Sequence, residues 1–407
     1  MKNNMITGNE NLLQIAGLNG ELISVFEKHG LGSYFRPENL DKIGKFIRLN
    51  SLLKSKKIEA DQFIACLNQA LSGQQMQEPA GLIREQHNLH FAAMLPCGLR
   101  NPFKEYFESL ILDNAGQFGA LNYLIEGNVN HELSYYPLLD GIKDENELPD
   151  IIMASDVNNF FHRPFIERFV NKGLFSAYTP HQPNPYLEKA GYADPAGNFT
   201  MFTANMLVMV IDTIRLGDRS MPCSWEDILD PCFENEIIMR GEEDFFCNAV
   251  MLPFYKDKGM DAIGILARNI KSGLHPAEMV KLAGTDKEEG GTIYIMPYFF
   301  AKRIKNKNTV IVWPHDGAIA SPVFMLIKTK KIMEHRALLE FIFSKNTGEM
   351  LTARYFPSTH SVVSHDDFPQ PVKWLGWDFL NNHDIGKLKA GIRETFLKIW
   401  NTKTCEQ

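Results

Sequence analysis

Residues 221–231 read MPCSWEDILDP, and this stretch determines the local structure at the centre of the chain. Ser224 and Asp227 stand three residues apart, as in a capping box that closes the first turn of a helix. Pro231 stops the helix, because proline lacks the N–H that a further turn would need. The apolar face of this short helix consists of Trp225, Ile228 and Leu229. The stretch therefore predicts a short, capped helix with one face suited to burial.

Upstream of this helix, short apolar runs alternate with helical stripes. Such runs are typical of buried parallel strands, whereas the stripes repeat every three or four residues. The predicted strands are 90–95, 120–125, 151–154 and 207–211. After the first of them, Asn101 as N-cap and Pro102 at the first helical position predict where the next helix begins. The alternation predicts a doubly wound α/β sheet.

Residues 10–72 have a different pattern, with three apolar helical stripes and no strand. The first stripe stops at Gly30, a good C-cap. Residues 73–88 carry Gly, Pro and Gln without periodicity, which is typical of a linker. We therefore expect a small N-terminal all-α domain at 10–72, joined by a linker at 73–88 to the α/β part.

The 221–231 stretch closely resembles the P-x-S-W-x-D-L-L-D-P segment of iron- and polyamine-type substrate-binding proteins of ABC transporters. The turn at 314–318, PHDGA, and the strand order after it also follow that family. The resemblance covers about residues 89–365 and implies the type 2 periplasmic-binding-protein fold, in which two α/β lobes enclose a ligand cleft. It divides the chain into lobe 1 (89–204 and 310–407) and lobe 2 (205–309).

The N-terminal segment resembles the small helical domain of iron–sulfur-repair proteins. That family carries cysteine just after an HG turn, whereas here His29-Gly30 is followed by Leu31-Gly32-Ser33-Tyr34. The resemblance therefore implies a docking or structural role, and a protein partner is expected to bind through this domain.

Composition narrows the class of protein. The net charge of −7 argues against nucleic-acid binding, which normally needs a basic face. No run of about 18 apolar residues is present, so no membrane span is expected. The N-terminus lacks the apolar core of a signal peptide, and the six scattered cysteines favour reduced thiols. These features predict a cytoplasmic protein.

Candidate ligand-binding residues follow from the rule that open α/β sheets bind ligands at the carboxyl ends of their strands. In lobe 1 the rule selects the loops after the first and third strands, and in lobe 2 the loop before the helix that bears Cys247. The family order adds Tyr298 and Asp316. The candidates in the three loops are Cys97, Gly98, Arg100, Ser155, Asp156, Arg240 and Glu243.

Tyr298 matches the first tyrosine of the pair that ligates ferric ion in the iron-binding members. Phe299 stands where the second tyrosine is expected. Since a phenyl ring cannot coordinate a metal, the resemblance does not predict a ferric site here. Tyr298 is expected either to contact a ligand or to pack at the start of a helix.

Cys97 and Cys247 suggest a different metal chemistry. A thiol at a helix start has a lowered pKa, and two converging thiolates suit a soft metal or metal complex. The alternative is that both cysteines are small buried hydrophobes.

The leading functional prediction is a non-catalytic ligand-binding protein that closes two lobes around a small molecule, anion or metal complex. One alternative is an enzyme that uses the same cleft with Cys97 as nucleophile. Another is an exported transporter component whose signal peptide has been removed.

Overall fold

The computed structural model of the protein describes residues 5–18, 21–28, 31–35, 40, 44, 47–56, 58–71, 89–118, 120–127, 136–242, 245–366 and 368–405. The chain forms two compact units. The first contains residues 1–88 and 129–142, and the second contains 89–128 and 143–407. The predicted linker at 73–88, the predicted C-cap Gly30 and the candidate ligand residue Glu243 lie outside the described residues.

The first unit consists, in its described residues, of helices joined by turns, with one isolated β-bridge between Asn11 and Arg48. Its α-helices are α1 (Leu12–Leu18), α2 (Glu21–Lys28), α3 (Leu49–Ser55), α4 (Ala60–Leu71) and α7 (Tyr136–Leu139). A 3-10 turn at Gly32–Phe35 follows α2. Phe26 lies at the centre of the core, with Phe35 and Phe63 at ring distances of 4.3 and 5.2 Å. The apolar stripes thus bury one another, as their spacing predicts.

The second unit is built on a mixed sheet of ten strands. Its main path runs β2-β1-β3-β11-β4-β9-β5-β8, while β10 pairs with β4 and β12 pairs with β11. The strands of this sheet are β1 (Phe91–Leu95), β2 (Tyr123–Gly127), β3 (Ile151–Ser155), β4 (Thr200–Asp212), β5 (Ile237–Met239), β8 (Ile270–Gly273), β9 (Ile293–Pro297), β10 (Thr309–Val312), β11 (Ala318–Ile327) and β12 (Val372–Lys373). A separate ribbon is formed by β6 (Gly241–Glu242) and β7 (Phe245–Phe246).

Helices flank this sheet. They are α5 (Cys97–Asp113), α6 (Ala115–Phe118), α8 (Arg163–Phe165), α9 (Pro185–Glu188), α10 (Thr213–Leu216), α11 (Asn248–Asn269), α12 (Pro276–Leu282), α13 (Tyr298–Ala301), α14 (Arg336–Ile342), α15 (Lys345–Thr352), α16 (Trp377–Asn382) and α17 (Ile385–Cys405). Short 3-10 turns lie at 145–147, 159–161, 227–229, 231–233 and 329–331, and a π-turn lies at 166–170. None of the described helices is long and apolar enough to cross a lipid bilayer.

Two long strands connect the halves of the sheet. In β4, residues 200–207 pair with β11, and residues 207–211 pair with β9 of the other half. Strand β11 continues from this crossing to pair with β3. We call β4 and β11 the crossover strands. The crossing of two strands between the halves of one sheet is the arrangement that the two-lobed fold expected from the sequence requires.

The last helix, α17, contacts elements of both halves. Near its start, Gly386 lies against the ring of His162, which follows strand β3. Near its end, Lys403 Nζ donates to the carbonyl oxygens of Arg268 (3.1 Å) and Ile270 (2.6 Å), where α11 meets β8. The helix therefore spans the two halves as a strut.

The predicted start of the helix after β1 is wrong by one turn. Helix α5 begins at Cys97 behind Pro96, and Asn101 and Pro102 lie inside it. Proline at this depth removes one bond, from its own missing N–H to the carbonyl of Gly98, and the helix continues past that gap. The predicted strand 120–125 is also displaced, since β2 covers Tyr123–Gly127.

Candidate functional site

The turn after β3 is built by its own polar side chains. Ser155 Oγ donates to the carbonyl of Met94 (3.1 Å), which ties the ends of β3 and β1 together. Asp156 has a φ of 68°, its N–H donates to Pro322 O, and its carboxylate accepts the N–H of Val157 (2.8 Å). Asn158 closes the turn by donating to the carbonyl of Ser155 (3.0 Å). The buried Asp156 carboxylate is thus held at the carboxyl end of the strand.

The first turn of α5 presents three of the predicted residues. The Cys97 thiol is exposed. Arg100 forms an ion pair with Glu126 (Nη2 to Oε2, 3.3 Å), while its buried Nε–H has no hydrogen-bond partner among the residues that the structure describes. Gly98 lies between them in sequence and faces Phe299, which follows β9 in the other half of the sheet.

Gly98 packs directly against Phe299 at the start of α13. A Cβ built on Gly98 would lie 2.3 Å from Phe299 Cε2, closer than any real contact allows. Phe299 is buried and stacks on Phe356, with ring centroids 5.2 Å apart. Only glycine therefore permits this approach between the two halves, and we call the Gly98–Phe299–Phe356 contact the lobe junction.

Tyr298, one residue earlier, lies in an aromatic cluster. Its ring is 5.3 Å from that of Trp313 and 5.4 Å from that of Tyr355, both edge to face. The Lys302 ammonium lies 5.7 Å from the Tyr298 centroid and 5.5 Å from the Tyr355 centroid. Tyr298 is 6 % exposed. Packing at the start of a helix was one of its two expected roles, and contact with a ligand stays a prediction.

Cys247 forms the N-cap position of α11 and is buried. Burial, together with the nearby Asp156 carboxylate, raises the pKa of its thiol to about 11. Arg240 and the N–H groups of Ala249 and Val250 oppose this shift without cancelling it. The expectation of a thiolate at Cys247 is therefore wrong in this state, because desolvation outweighs the helix terminus.

The structure contains a different cluster of potential metal ligands. Among the described residues, the group of three or more such side chains that converge within 4.8 Å is Asp150, Glu334 and His335. Lys328 and Lys331 already contact the Asp150 carboxylate at 3.4 and 3.7 Å. These ammonium groups and His335 hold the pKa of Asp150 below its usual range in spite of burial. The cluster is an internal ion network, and a soft-metal site at Cys97 and Cys247 stays a prediction.

Asp316 connects the two sequence motifs that suggested the fold. Its carboxylate accepts the N–H of Trp225 (3.1 Å) and the ammonium of Lys373 (3.0 Å). The indole N–H of Trp225 donates to Gly317 O (2.8 Å). Ser224 and Asp227 form the reciprocal bonds of the predicted capping box, at 3.2 and 2.8 Å. The Asp316 carboxylate is thus engaged within the fold, and its predicted ligand contact has no support from these contacts.

A small opening separates the Asp156 turn from the first turns of α11. Its cavity volume is about 10 Å³, which is room for a single water molecule. Its lining residues are Asp156, Val157, Ala249, Leu252, Pro253, Ile319–Pro322, Trp374 and Leu375. Sequence reasoning missed Ser321 and Trp374, because only the register of β11 with β4 and β12 brings them here.

A larger pocket of about 90 Å³ lies elsewhere, between residues 177–201 and the segment around His360. Its polar groups bond within the chain. Tyr192 Oη donates to Thr203 O (2.6 Å), and Asn184 Nδ2 donates to the carbonyl oxygens of His360 and Val363. These two side chains are thus engaged within the fold, and none of the described residues that line this pocket belongs to the three candidate loops.

Comparison with known proteins confirms the type 2 periplasmic-binding-protein fold expected from the sequence. A ferric binding protein from Campylobacter jejuni is 17% identical, with a TM-score of 0.52 over 77% of this chain and 98% of that one. A Trichodesmium protein in complex with iron and citrate is 15% identical (TM-score 0.53; 76% and 98%). A putative extracellular solute-binding protein from Bordetella parapertussis is 16% identical (TM-score 0.52; 77% and 98%). No curated protein matches the sequence significantly.

The sequence profile of one family, described as bacterial extracellular solute-binding protein, matches residues 146–383, more than half of the chain. The ligand-binding function expected from the sequence is therefore confirmed at the level of a solute-binding protein. The expected cytoplasmic location is wrong, because this family is extracellular. The prediction of a cytoplasmic location rested on the N-terminal residues and on the cysteine pattern, whereas the family match rests on residues 146–383. The chain belongs to the family of bacterial extracellular solute-binding proteins.

Proposed function

We propose that the protein binds a small organic solute or a metal complex next to the lobe junction, rather than a bare ferric ion. The observation that supports this proposal is the position of Phe299. It occupies the place of a ligating tyrosine and fills the space against Gly98. A phenyl ring offers no lone pair to a metal, so this position contributes shape and apolar surface.

Tyr298 alone is a weak basis for ferric binding. Its ring is buried among Trp313 and Tyr355, and the Lys302 ammonium lies near both tyrosine rings. A cation at this distance disfavours the approach of a second, highly charged cation. The iron-related names among the similar structures belong to proteins at most 17% identical, so they support the fold and leave the ligand open.

The solute would contact the three strand-end loops. In this proposal it meets the first turn of α5 with Cys97, Gly98 and Arg100, and the turn with Ser155 and Asp156. Arg240, whose charge acts on the Cys247 thiol, would contact the solute from the opposite side, and Glu243 stays a contact predicted from the sequence alone. Asp156 and Cys247 interact electrostatically across the gap, which supports their common position at this opening.

The N-terminal unit would dock a partner protein. This part of the proposal rests on the resemblance to the helical domain of iron–sulfur-repair proteins and on the unit's own apolar core. Removal of that unit should then leave solute binding unchanged while abolishing capture of the partner.

Spectroscopic titration tests the solute class. Dialysed protein is titrated with ferric nitrilotriacetate and, separately, with ferric citrate and with citrate, while absorbance and tryptophan fluorescence are recorded. We expect no tyrosinate charge-transfer band with ferric nitrilotriacetate, and a fluorescence change with citrate or ferric citrate that Gly98→Ala weakens. Gly116→Ala, where the added methyl meets open space, is the matched control. A coloured ferric complex that disappears in Tyr298→Phe would refute the proposal.

A further inference from the structure

Asn205 is an exception in the crossover strand β4. The strand has thirteen residues, and twelve of them are buried. Asn205 alone is partly exposed, at the position just before β4 passes from its pairing with β11 to its pairing with β9. Asn205 is thus the one residue of β4 that is not fully buried, close to the point where the two halves of the sheet meet.

The side chain of Asn205 keeps a buried oxygen without a partner. Among the residues that the structure describes, nothing donates a hydrogen bond to its Oδ1. Ser321 of β11 lies directly opposite in the register, so the two side chains point to the same face of the sheet. Carboxamide and hydroxyl groups thus lie side by side, between the apolar residues Leu207 and Ile319 on one side and Val323 on the other.

This face of the sheet leads to the lobe junction. Thr203 precedes Asn205 by two residues and therefore shares its face. Thr203 Oγ1 donates to Pro357 O (2.7 Å), and the neighbouring Phe356 stacks on Phe299. Asn205 and Ser321 therefore form a polar floor on the side of the sheet where Gly98 and Phe299 meet.

Polar groups elsewhere on these strands are paired. Thr203 bonds to Pro357, Thr200 accepts the N–H of Tyr178 (2.7 Å), and the Asp212 carboxylate accepts the N–H of Ile214 (3.1 Å). A buried oxygen left unpaired lowers stability, so an exception of this kind needs an explanation. A hydrogen-bond donor supplied by the solute explains it.

A second unpaired atom has the opposite polarity. The buried Arg100 Nε–H, in the first turns of α5, needs an acceptor. Asn205 Oδ1 needs a donor. A solute that offers a hydroxyl group and a carboxylate satisfies both, whereas a hydrocarbon satisfies neither and a bare metal ion could satisfy only Asn205 Oδ1.

We propose that Asn205 and Ser321 bind the hydroxyl group of a hydroxylated carboxylic acid whose carboxylate is bound by Arg100. This inference rests on the proposed function and adds the chemical class of the solute. The floor carries no charged side chain in residues 203–207 or 319–323, which suits a neutral hydroxyl group better than an ammonium group.

Stability measurements test the floor without any ligand. Asn205→Leu removes the unpaired oxygen, so we expect the melting temperature to stay the same or rise by about 1–2 °C. Thr203→Val, on the same face and two residues away, removes a made hydrogen bond and should lower it by a similar amount. If Asn205→Leu loses as much stability as Thr203→Val, Asn205 is a structural residue and the inference is wrong.

Binding measurements test the solute class with citrate and tricarballylate, which differ only in the hydroxyl group. We expect citrate to bind about tenfold more tightly, and Asn205→Leu to erase that difference while Asn205→Asp, which keeps an acceptor oxygen, retains part of it. Equal affinity for the pair, or binding of neither, would overturn the inference. If Gly98→Ala weakens citrate binding and Asn205→Leu does not, the proposed site stands and the hydroxyl assignment fails. If neither change matters, the proposed site fails as well.

Discussion

Replacing Gly98 with alanine should disrupt the lobe junction. The new methyl carbon would lie 2.3, 2.5 and 2.7 Å from three carbons of the Phe299 ring. Relief requires a shift of about 1 Å, because ordinary contacts between carbons begin near 3.5 Å. Phe299 has little room for this shift, since it is 4 % exposed and packs on Phe300 and Phe356. Overpacking of this kind costs about 1–3 kcal/mol of the free energy of unfolding.

Urea unfolding measures that cost, with Gly116→Ala as the control. Gly116 lies in helix α6 with nothing within 4 Å, so alanine there should stabilise by about 0.5–1 kcal/mol through helix propensity alone. Phe299→Ala in the Gly98→Ala background should remove the clash, so the two effects should be less than additive by about 1 kcal/mol or more. Small-angle scattering should also show a larger radius of gyration for Gly98→Ala if the halves separate. Equal stabilities of the two glycine variants would refute the reasoning.

Four further predictions concern other parts of the chain. Cys97 should react with iodoacetamide at neutral pH much faster than Cys247, because one thiol is exposed and the other is buried with a pKa of about 11; equal rates would contradict this. Since the unfolded thiol ionises near pH 8.5, the folded state should lose stability as pH rises from there toward 11, and Cys247→Ala should lack this loss in urea titrations. Ser224→Ala breaks the capping box and should cost about 1 kcal/mol by thermal unfolding, whereas a neutral effect would mean that Asp227 caps the turn alone. Limited proteolysis should cut first within 72–88. Earlier cleavage inside 150–300 would show that the predicted domain boundary is wrong.

The sequence predicted those parts of the fold that depend on local pattern. The capping box at Ser224 and Asp227 and the strand at 151–154 need only neighbours along the chain, and both are present. The start of α5 was missed because Asn101-Pro102 is a good local helix start, whereas the helix already begins behind Pro96 at the end of a buried strand. Local signals compete in such cases, and the tertiary position decides between them.

The candidate site was predicted less completely, since its properties depend on burial and on strand register. The pKa of Cys247 reflects desolvation by residues distant in sequence. Asn205 and Ser321 are 116 positions apart and become neighbours only through the pairing of β4 with β11. A one-residue change of register would turn either side chain to the other face of the sheet, so no local pattern could have identified them.

The strut formed by α17 limits the motions available to the two halves. If only β4 and β11 joined the two halves, the halves could rotate relative to each other about several axes. Helix α17 contacts His162 near one end and donates to the carbonyls of Arg268 and Ile270 near the other. It therefore adds a second connection of constant length between the halves. A rotation that changes the distance between these two contacts would have to break one of them, whereas rotation about the axis of the helix itself would not. Helix α17 is therefore a restraint on opening, because any separation of the two halves must either keep these two contacts or break one of them.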